Sequence, residues 1–268
     1  MDTFFDHEAD GIYSRHVREE KADDRGFTMH IHDRCELYYF MEGSADYLVE
    51  GNEYPMKRGS MLIMRPGEVH RPRLLKSGVY ERFAINFPLN LFDGIDPDRR
   101  LVRPFTDRAL GTGNHYDLPA AEKFFVRLCT DYPDEYERRI AAYSAILEIL
   151  LLLGKEFEGR SDSGEKPDTQ SEKLIRYVNE HLFEDISLPA IADEFYISLS
   201  SLGRLFREAT GAAPWEYITA KRLIAAGELM SKGVPAGEAA ERCGFGDYSS
   251  FYRAWFRRYG KSPREGFS

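Results

Sequence analysis

The chain has 268 residues, 43% of them hydrophobic and 30% charged, an ordinary globular composition with length for two domains. Its longest apolar run, Ile146 to Leu153, contains Glu148 and falls far short of the roughly 20 residues a membrane helix needs, and the acidic start MDTFFDHEADG lacks the pattern of a secretory signal. Three widely spaced cysteines, Cys35, Cys129 and Cys243, argue against a disulfide framework and predict reduced thiols in a cytoplasmic protein.

The formal net charge is -9, unusual for a partner of nucleic acid, but it is unevenly spread. From Asp168 onward there are 13 Lys and Arg against 14 Asp and Glu, so the first 167 residues hold most of the excess acid. Within the C-terminal half, Arg253, Arg257, Arg258, Lys261 and Arg264 form a stretch free of acids.

In chain order, Phe27 to Phe87 reads as short strands, with aromatic and β-branched runs broken by Gly and Pro turns. Glu50-Gly51-Asn52-Glu53 is a predicted hairpin turn. Phe83, Ile85 and Phe87 alternate with Arg82, Ala84 and Asn86, the period of a half-buried strand. A small barrel or sandwich is expected. Helices begin near Asp117, read as a cap, with Pro119 in the first turn and a helix over Ala120 to Cys129. A second helix runs from Asp134 to about Phe157 and is apolar nearly all round in its later half. That surplus fits burial on two sides, against the barrel and a second subunit, or burial within its own domain. Gly159 to Gln170 is polar, with two Gly and one Pro, and reads as a linker.

The remainder holds two copies of one unit. Leu202-Gly203-Arg204 matches Phe251-Tyr252-Arg253, Gly211 matches Gly260 and Pro214 matches Pro263, each 49 residues apart, while Ala192 matches Ala240 at 48. Each copy reads as helix, tight turn, helix. The first has a helix over Leu188 to Phe195 capped by Ser187, a turn at Tyr196-Ile197, and a second helix from cap Ser198 to Gly211. The second has Ala236 to Cys243, the turn Gly244-Phe245-Gly246, cap Asp247, and a helix ending at Gly260. One helix from Trp215 to Met230 joins them. A helix-turn-helix lays its second helix in the DNA major groove. Residues free of core duty on these helices are Ser198, Ser200, Ser201 and Arg204, then Asp247, Tyr248, Ser249, Ser250 and Arg253. Arginine can read guanine with two hydrogen bonds, whereas Arg257, Arg258 and Lys261 suit phosphates.

This half closely resembles the AraC/XylS regulators. The resemblance rests on Leu188-x-x-Ile191-Ala192, Ser198-x-x-Ser201-Leu202-x-Arg204-Leu205-Phe206, Gly211, Glu216-Tyr217, Arg222-Leu223, Gly244-Phe245-x-Asp247, Ser250-Phe251-x-Arg253 and Gly260-x-Ser262-Pro263-Arg264. It implies an all-α domain with two recognition helices. Phe256 stands where that family usually has a basic residue, and Gly237 interrupts the second copy's first helix.

Upstream, His30-x-His32-x3-Glu36-x6-Gly43 fits the first cupin motif, and Gly59 with Pro66-Gly67-x-x-His70 resembles the second, with Leu74 where that family has Asn. Strand alternation would put His30, His32 and Glu36 on one face. In the cupin fold His30, His32, Glu36 and His70 would converge on a divalent metal, and such donors suit Zn, Ni, Mn or Fe. Alternatively these residues, with Tyr38, line a polar effector pocket. Tyr47, Tyr54, Arg65, Arg73 and Arg82 would suit a sugar or organic acid there, or be plain strand surface.

The expected fold class is α+β: a cupin-like β-barrel (a double-stranded β-helix) followed by helices, then an all-α domain with two helix-turn-helix units. The expected domains are 1–158 for effector binding and dimerisation (barrel about 20–95, helices about 117–158), a linker at 159–170, and a DNA-binding domain at 171–268. The reading is a homodimeric, non-enzymatic transcription regulator under effector control, with double-stranded DNA and RNA polymerase as partners and no membrane. The rival is a metal-dependent cupin enzyme fused to a DNA-binding domain, and a third reading has a barrel that only dimerises.

Overall fold

The computed structural model describes residues 2–159 and 169–265. They form two compact units, the first of residues 2–28 and 34–159 and the second of residues 29–33 and 169–265. Most of the linker expected at 159–170 lies outside the described residues.

The first unit is two antiparallel sheets. Its strands are β1 (Asp2–Ala9), β2 (Ile12–Ala22), β3 (Cys35–Glu42), β4 (Ala45–Val49), β5 (Asn52–Pro55), β6 (Ser60–Met64), β7 (His70–Leu74), β8 (Gly78–Phe87) and β9 (His115–Asp117). The larger sheet runs β1-β2-β8-β3-β6-β9 and the smaller β5-β4-β7. The β4–β5 hairpin turns at Glu50 and Gly51, with φ of 49° and 83°. Left-handed conformations at both central residues match the twist of the flanking strands.

The central strands are buried on both faces, and alternation sorts their side chains into two cores. Tyr38, Phe40, Tyr47, Val49, Leu62, Met64 and Tyr80 pack in one cluster. Leu37, Tyr39, Met61, Ile63, Phe83, Ile85 and Phe87 belong to another, with residues of α1 (Arg103–Thr106), α2 (Glu122–Leu128) and α3 (Glu135–Gly159). On α3 the buried positions are Ala141, Ala145, Ile146, Ile149, Leu150 and Leu153, whereas Ile140 and Leu151 are about half exposed. The helix therefore seats one side on its own unit and leaves apolar residues outside.

Three expectations are corrected. The sheet begins at residue 2, far before the expected start near 20, because β2 pairs along its length with β8 although its own sequence is mostly polar. Asp117 is no helix cap but ends β9, whose Asp117, Tyr116 and His115 pair with Ser60, Met61 and Leu62. His30 and His32 do not lie on a strand. They follow a 3-10 turn at Asp24–Gly26 and precede β3, so strand alternation does not set their facing. His30 is exposed.

The second unit is helical: α4 (Gln170–Glu180), α5 (Leu188–Glu194), α6 (Leu199–Thr210), α7 (Pro214–Ser231), α8 (Ala236–Arg242) and α9 (Tyr248–Tyr259). Thr169 and Glu172 start α4 with a reciprocal capping box. In the two copies, α5–α6 and α8–α9, the first helix closes on a left-handed residue and the second ends on Gly211 or Gly260, also left-handed. Leu202 and Phe206 form the buried stripe of α6, and Phe251 and Trp255 that of α9.

Candidate nucleic-acid interface and effector site

The two second helices start alike. The Ser198 hydroxyl accepts from the Ser201 amide at 3.1 Å, and the Asp247 carboxylate accepts from the Ser250 amide at 2.7 Å. Each bond satisfies an amide that the first turn leaves unpaired. The Ser250 hydroxyl also donates to Asp247 at 2.7 Å, and these bonds hold the Asp247 carboxyl below the usual carboxylate range. Ser198 lies 2.8 Å from the Ser200 hydroxyl and 2.9 Å from that of Ser201.

The cap residues thus fix the helix ends and leave the outward face to other side chains. Ser200 and Arg204 are exposed on α6; Tyr248, Ser249 and Arg253 are exposed on α9. Arg204 reaches Glu208 at 3.2 Å, one turn on, and Arg253 donates to the Ser250 hydroxyl at 3.1 Å. Arg257 and Lys261 are exposed near the end of α9, and the Arg258 guanidinium sits 5.5 Å from the Tyr259 ring centre.

Arg222 of α7 is a residue whose role the motif match did not reveal. Buried, it donates to the carbonyls of Leu182 at 2.8 Å, Glu184 at 2.8 Å and Gly244 at 2.6 Å. It ties the second turn to the end of the α4 loop. Burial alone would disfavour its charge, and its pKa is lowered accordingly.

In the first unit, Tyr38 points into the inter-sheet core, where its hydroxyl bonds that of Tyr80. Burial pushes both phenols well up, so they stay neutral. The Arg82 guanidinium lies 4.8 Å from the Tyr80 ring centre and 5.3 Å from that of Phe27. His70 is buried against Tyr47, rings stacked 6.2 Å apart, with Nε2 3.3 Å from Glu36 and Nδ1 2.8 Å from the Glu68 carbonyl. Burial favours a neutral ring, but the Glu36 carboxylate and the Glu68 carbonyl outweigh it and hold the imidazole pKa above its usual value. Asn86 donates to the same Glu36 carboxylate at 3.1 Å. His30 and His32 are grouped with the second unit, Glu36 and His70 with the first.

Arg73 is held by Asp46 and Glu53 at 2.6 Å each, and Arg65 donates to the Arg108 carbonyl, so these two are engaged in structural bonds. Tyr80 and Asn86 were not singled out from the sequence, although the β8 alternation signalled them: with Phe83, Ile85 and Phe87 on one face, Tyr80, Arg82 and Asn86 take the other.

A doubled helix-turn-helix in a chain that also carries a β-sheet ligand domain defines a one-component DNA-binding regulator. Two family models match: the AraC-like ligand binding domain over residues 14–139 and the helix-turn-helix domain over 191–267. An AraC-like ligand binding domain and a helix-turn-helix domain thus stand in one chain, the arrangement that the resemblance to the AraC/XylS regulators implies. Among similar proteins, the HTH-type transcriptional activator RhaS of Yersinia pseudotuberculosis serotype I (strain IP32953) is 26% identical over 258 residues, covering 92% of this chain and 91% of its own. RhaS of Citrobacter koseri is also 26% identical, at 92% and 90% coverage. Of solved structures, an apo form of a ToxT variant from Vibrio cholerae strain SCE256 aligns over 96% of this chain and 97% of its own, with 12% identity and a TM-score of 0.46. Among the described residues no helix is long and apolar enough to cross a membrane.

Proposed function

We propose that α6 and α9 read a DNA operator together and that a small effector bound by the β unit controls this reading. The observation that carries it is the matched pair of capped helices, each presenting a serine and an arginine outward. In this reading Ser200, Ser201, Arg204, Tyr248, Ser249, Ser250 and Arg253 face base edges, Arg257, Arg258 and Lys261 hold phosphates, and Ser198 and Asp247 position the helix starts. Tyr38, Glu36 and His70 offer an effector hydroxyl, carboxylate and imidazole contacts, a set suited to a sugar or an organic acid. The exposed Ile140 and Leu151 of α3 serve homodimer contact, and RNA polymerase is the downstream partner in the cytoplasm.

The test is a titration of the full chain with DNA from upstream of its gene at two salt concentrations. Wild type binds tightly and loses affinity with salt, and the Arg204→Ala, Arg253→Ala double variant loses specific binding. Absence of specific binding by wild type, with and without candidate sugars and acids, removes the reading.

A second reading concerns the donors Glu36 and His70. A backbone carbonyl orients His70 through Nδ1, and Nε2 faces the Glu36 carboxylate at 3.3 Å, so a bound ion would take the place of that contact between two donor atoms. These residues therefore fit a divalent ion such as Zn, Ni, Mn or Fe, which would supply a Lewis-acidic contact for an anionic effector. Elemental analysis of the purified protein beside Glu36→Gln and His70→Ala decides: one equivalent lost in both variants supports the site, and no metal in wild type removes it. Turnover of a small substrate by the loaded protein would instead favour the fused-enzyme alternative.

A further inference from the structure

The helical unit is electrically two-ended. From Tyr177 to Gly203 the chain holds five acids and no lysine or arginine, and from Tyr248 to Arg264 it holds five lysine and arginine residues and no acid. The first run spans α5 and the turns on either side of it; the second spans α9 and its exit. Among the described residues, no ion pair joins an acid of the first run to a base of the second.

Each run also exposes rings. In the first, Tyr196 is almost fully exposed, and its chain neighbour Phe195 packs edge to face on Tyr177 at 5.4 Å. Asp193 and Glu194, both exposed, stand just before it. In the second, Tyr252 and Phe256 are exposed one helical turn apart and stack, with 6.3 Å between ring centres and 11° between planes. Arg253 and Arg257 are exposed at the next positions. Exposed rings rimmed by charge of one sign mark a surface built for contact with protein.

We propose that these two surfaces meet head to tail between copies of the chain. The outward face of α9 on one copy lays Tyr252 and Phe256 against Tyr196 of the next, and Arg253 and Arg257 pair with Asp193 and Glu194. Charge complementarity names the occupant: the acids beside Tyr196 repel DNA phosphates, and the base-rich face of α9 is the complement they require. An arginine brought over the Tyr196 ring adds a cation–π contact. The two surfaces differ, so the contact repeats from copy to copy and does not close on a dimer. It is separate from the α3 face assigned to the homodimer. It also covers α9 and so withholds the chain from an operator. That consequence rests on the helix-turn-helix reading; the association itself does not.

The experiment is sedimentation velocity on the full chain without DNA, at low and high salt. Wild type grows beyond a dimer with concentration at low salt and stops growing at high salt, which screens surface charge. The Arg253→Glu, Arg257→Glu variant and the Asp193→Arg, Glu194→Arg variant each fail to grow alone. An equal mixture of the two restores growth, because each then carries the charge that the other needs. Tyr196→Gly weakens the association about tenfold while raising Tm, and decides the matter if a charge variant folds poorly. DNA from upstream of the gene disperses the wild-type assembly. Wild type of one size at both salts overturns the inference, as does a mixture of folded variants that stays apart or a Tyr196→Gly chain that associates as wild type does. An assembly that the DNA neither binds nor disperses removes the helix-turn-helix reading and leaves this contact standing.

Discussion

Tyr196 and Gly244 occupy the same turn of the two copies, each in the left-handed region, with φ of 53° and 77°. In both, the next residue's amide reaches back to the matching alanine carbonyl, Ile197 to Ala192 and Phe245 to Ala240. The turn thus demands a conformation that glycine adopts freely and tyrosine does not. Tyr196 is 95% exposed, so packing does not repay it. Tyr196→Gly is expected to stabilise the helical unit by about 1 kcal/mol. Gly244→Ala should destabilise by about 2 kcal/mol or more, because the added Cβ would lie 2.8 Å from the Phe183 carbonyl oxygen as well as forcing φ. Scanning calorimetry on the full chain, following the helical unit's transition, measures both.

Arg222 should prove more sensitive than any cap. Arg222→Ala leaves the carbonyls of Leu182, Glu184 and Gly244 without this donor and is expected to cost about 2–4 kcal/mol. Lysine cannot restore the forked geometry and should recover only part of the loss. Urea denaturation followed by circular dichroism tests this, and an Arg222→Lys variant as stable as wild type would refute it.

Glu68 predicts an acid limit for the β unit. It is buried, and Arg108 grips it with 2.6 Å bonds to both carboxylate oxygens, joined by amides of Arg65 and Gly111 and the side chain of Asn114. Burial pushes the carboxyl up, but these donors outweigh it and its pKa is lowered from 4.5. A lowered folded-state pKa means stability that is present above about pH 4.5 and is lost as pH falls through the folded value. Glu68→Gln, which leaves Arg108 buried without a countercharge, should cost about 3–5 kcal/mol at neutral pH and flatten the acid limb of the stability profile.

The thiols should be silent in the native state. Burial pushes Cys129 up to about 12 and Cys243 to about 11, and raises Cys35 further. Thiolate is the reactive form. At pH 8 a thiol reagent such as iodoacetamide is expected to label none of the three in folded protein and all three in urea.

The helical unit was legible because its punctuation is local. Ser198, Asp247, Gly211 and Gly260 act within four residues of themselves, so their chemistry is written in the sequence. The β unit was legible only where alternation ran unbroken, as in β8. β2 hid because its register shifts between Glu19 and Ala22 and its polar residues pair across strands, His16 and Arg18 with Glu81. β9 hid because three residues acquire strand character only by pairing with β6, more than 50 residues away. The Glu68–Arg108 clamp joins residues 40 apart and carries no spacing signature. At the candidate effector site, Glu36 and His70 meet as the cupin-like motifs implied, while His30 was misplaced by assuming a strand where the chain runs irregularly.

Neighbouring residues of β3 face opposite ways: Tyr38 bonds Tyr80 between the sheets, and Tyr39 stacks on Phe125 of α2 at 4.8 Å. The strand is therefore a party wall with furniture pressed against both sides. Close-packed interiors have little give. A guest that pries Tyr38 from Tyr80 must bow that wall, and the load arrives next door at Phe125, with α3 in the same packed cluster. At this strand, a change between the sheets would reach the outer helices through one layer of packed side chains.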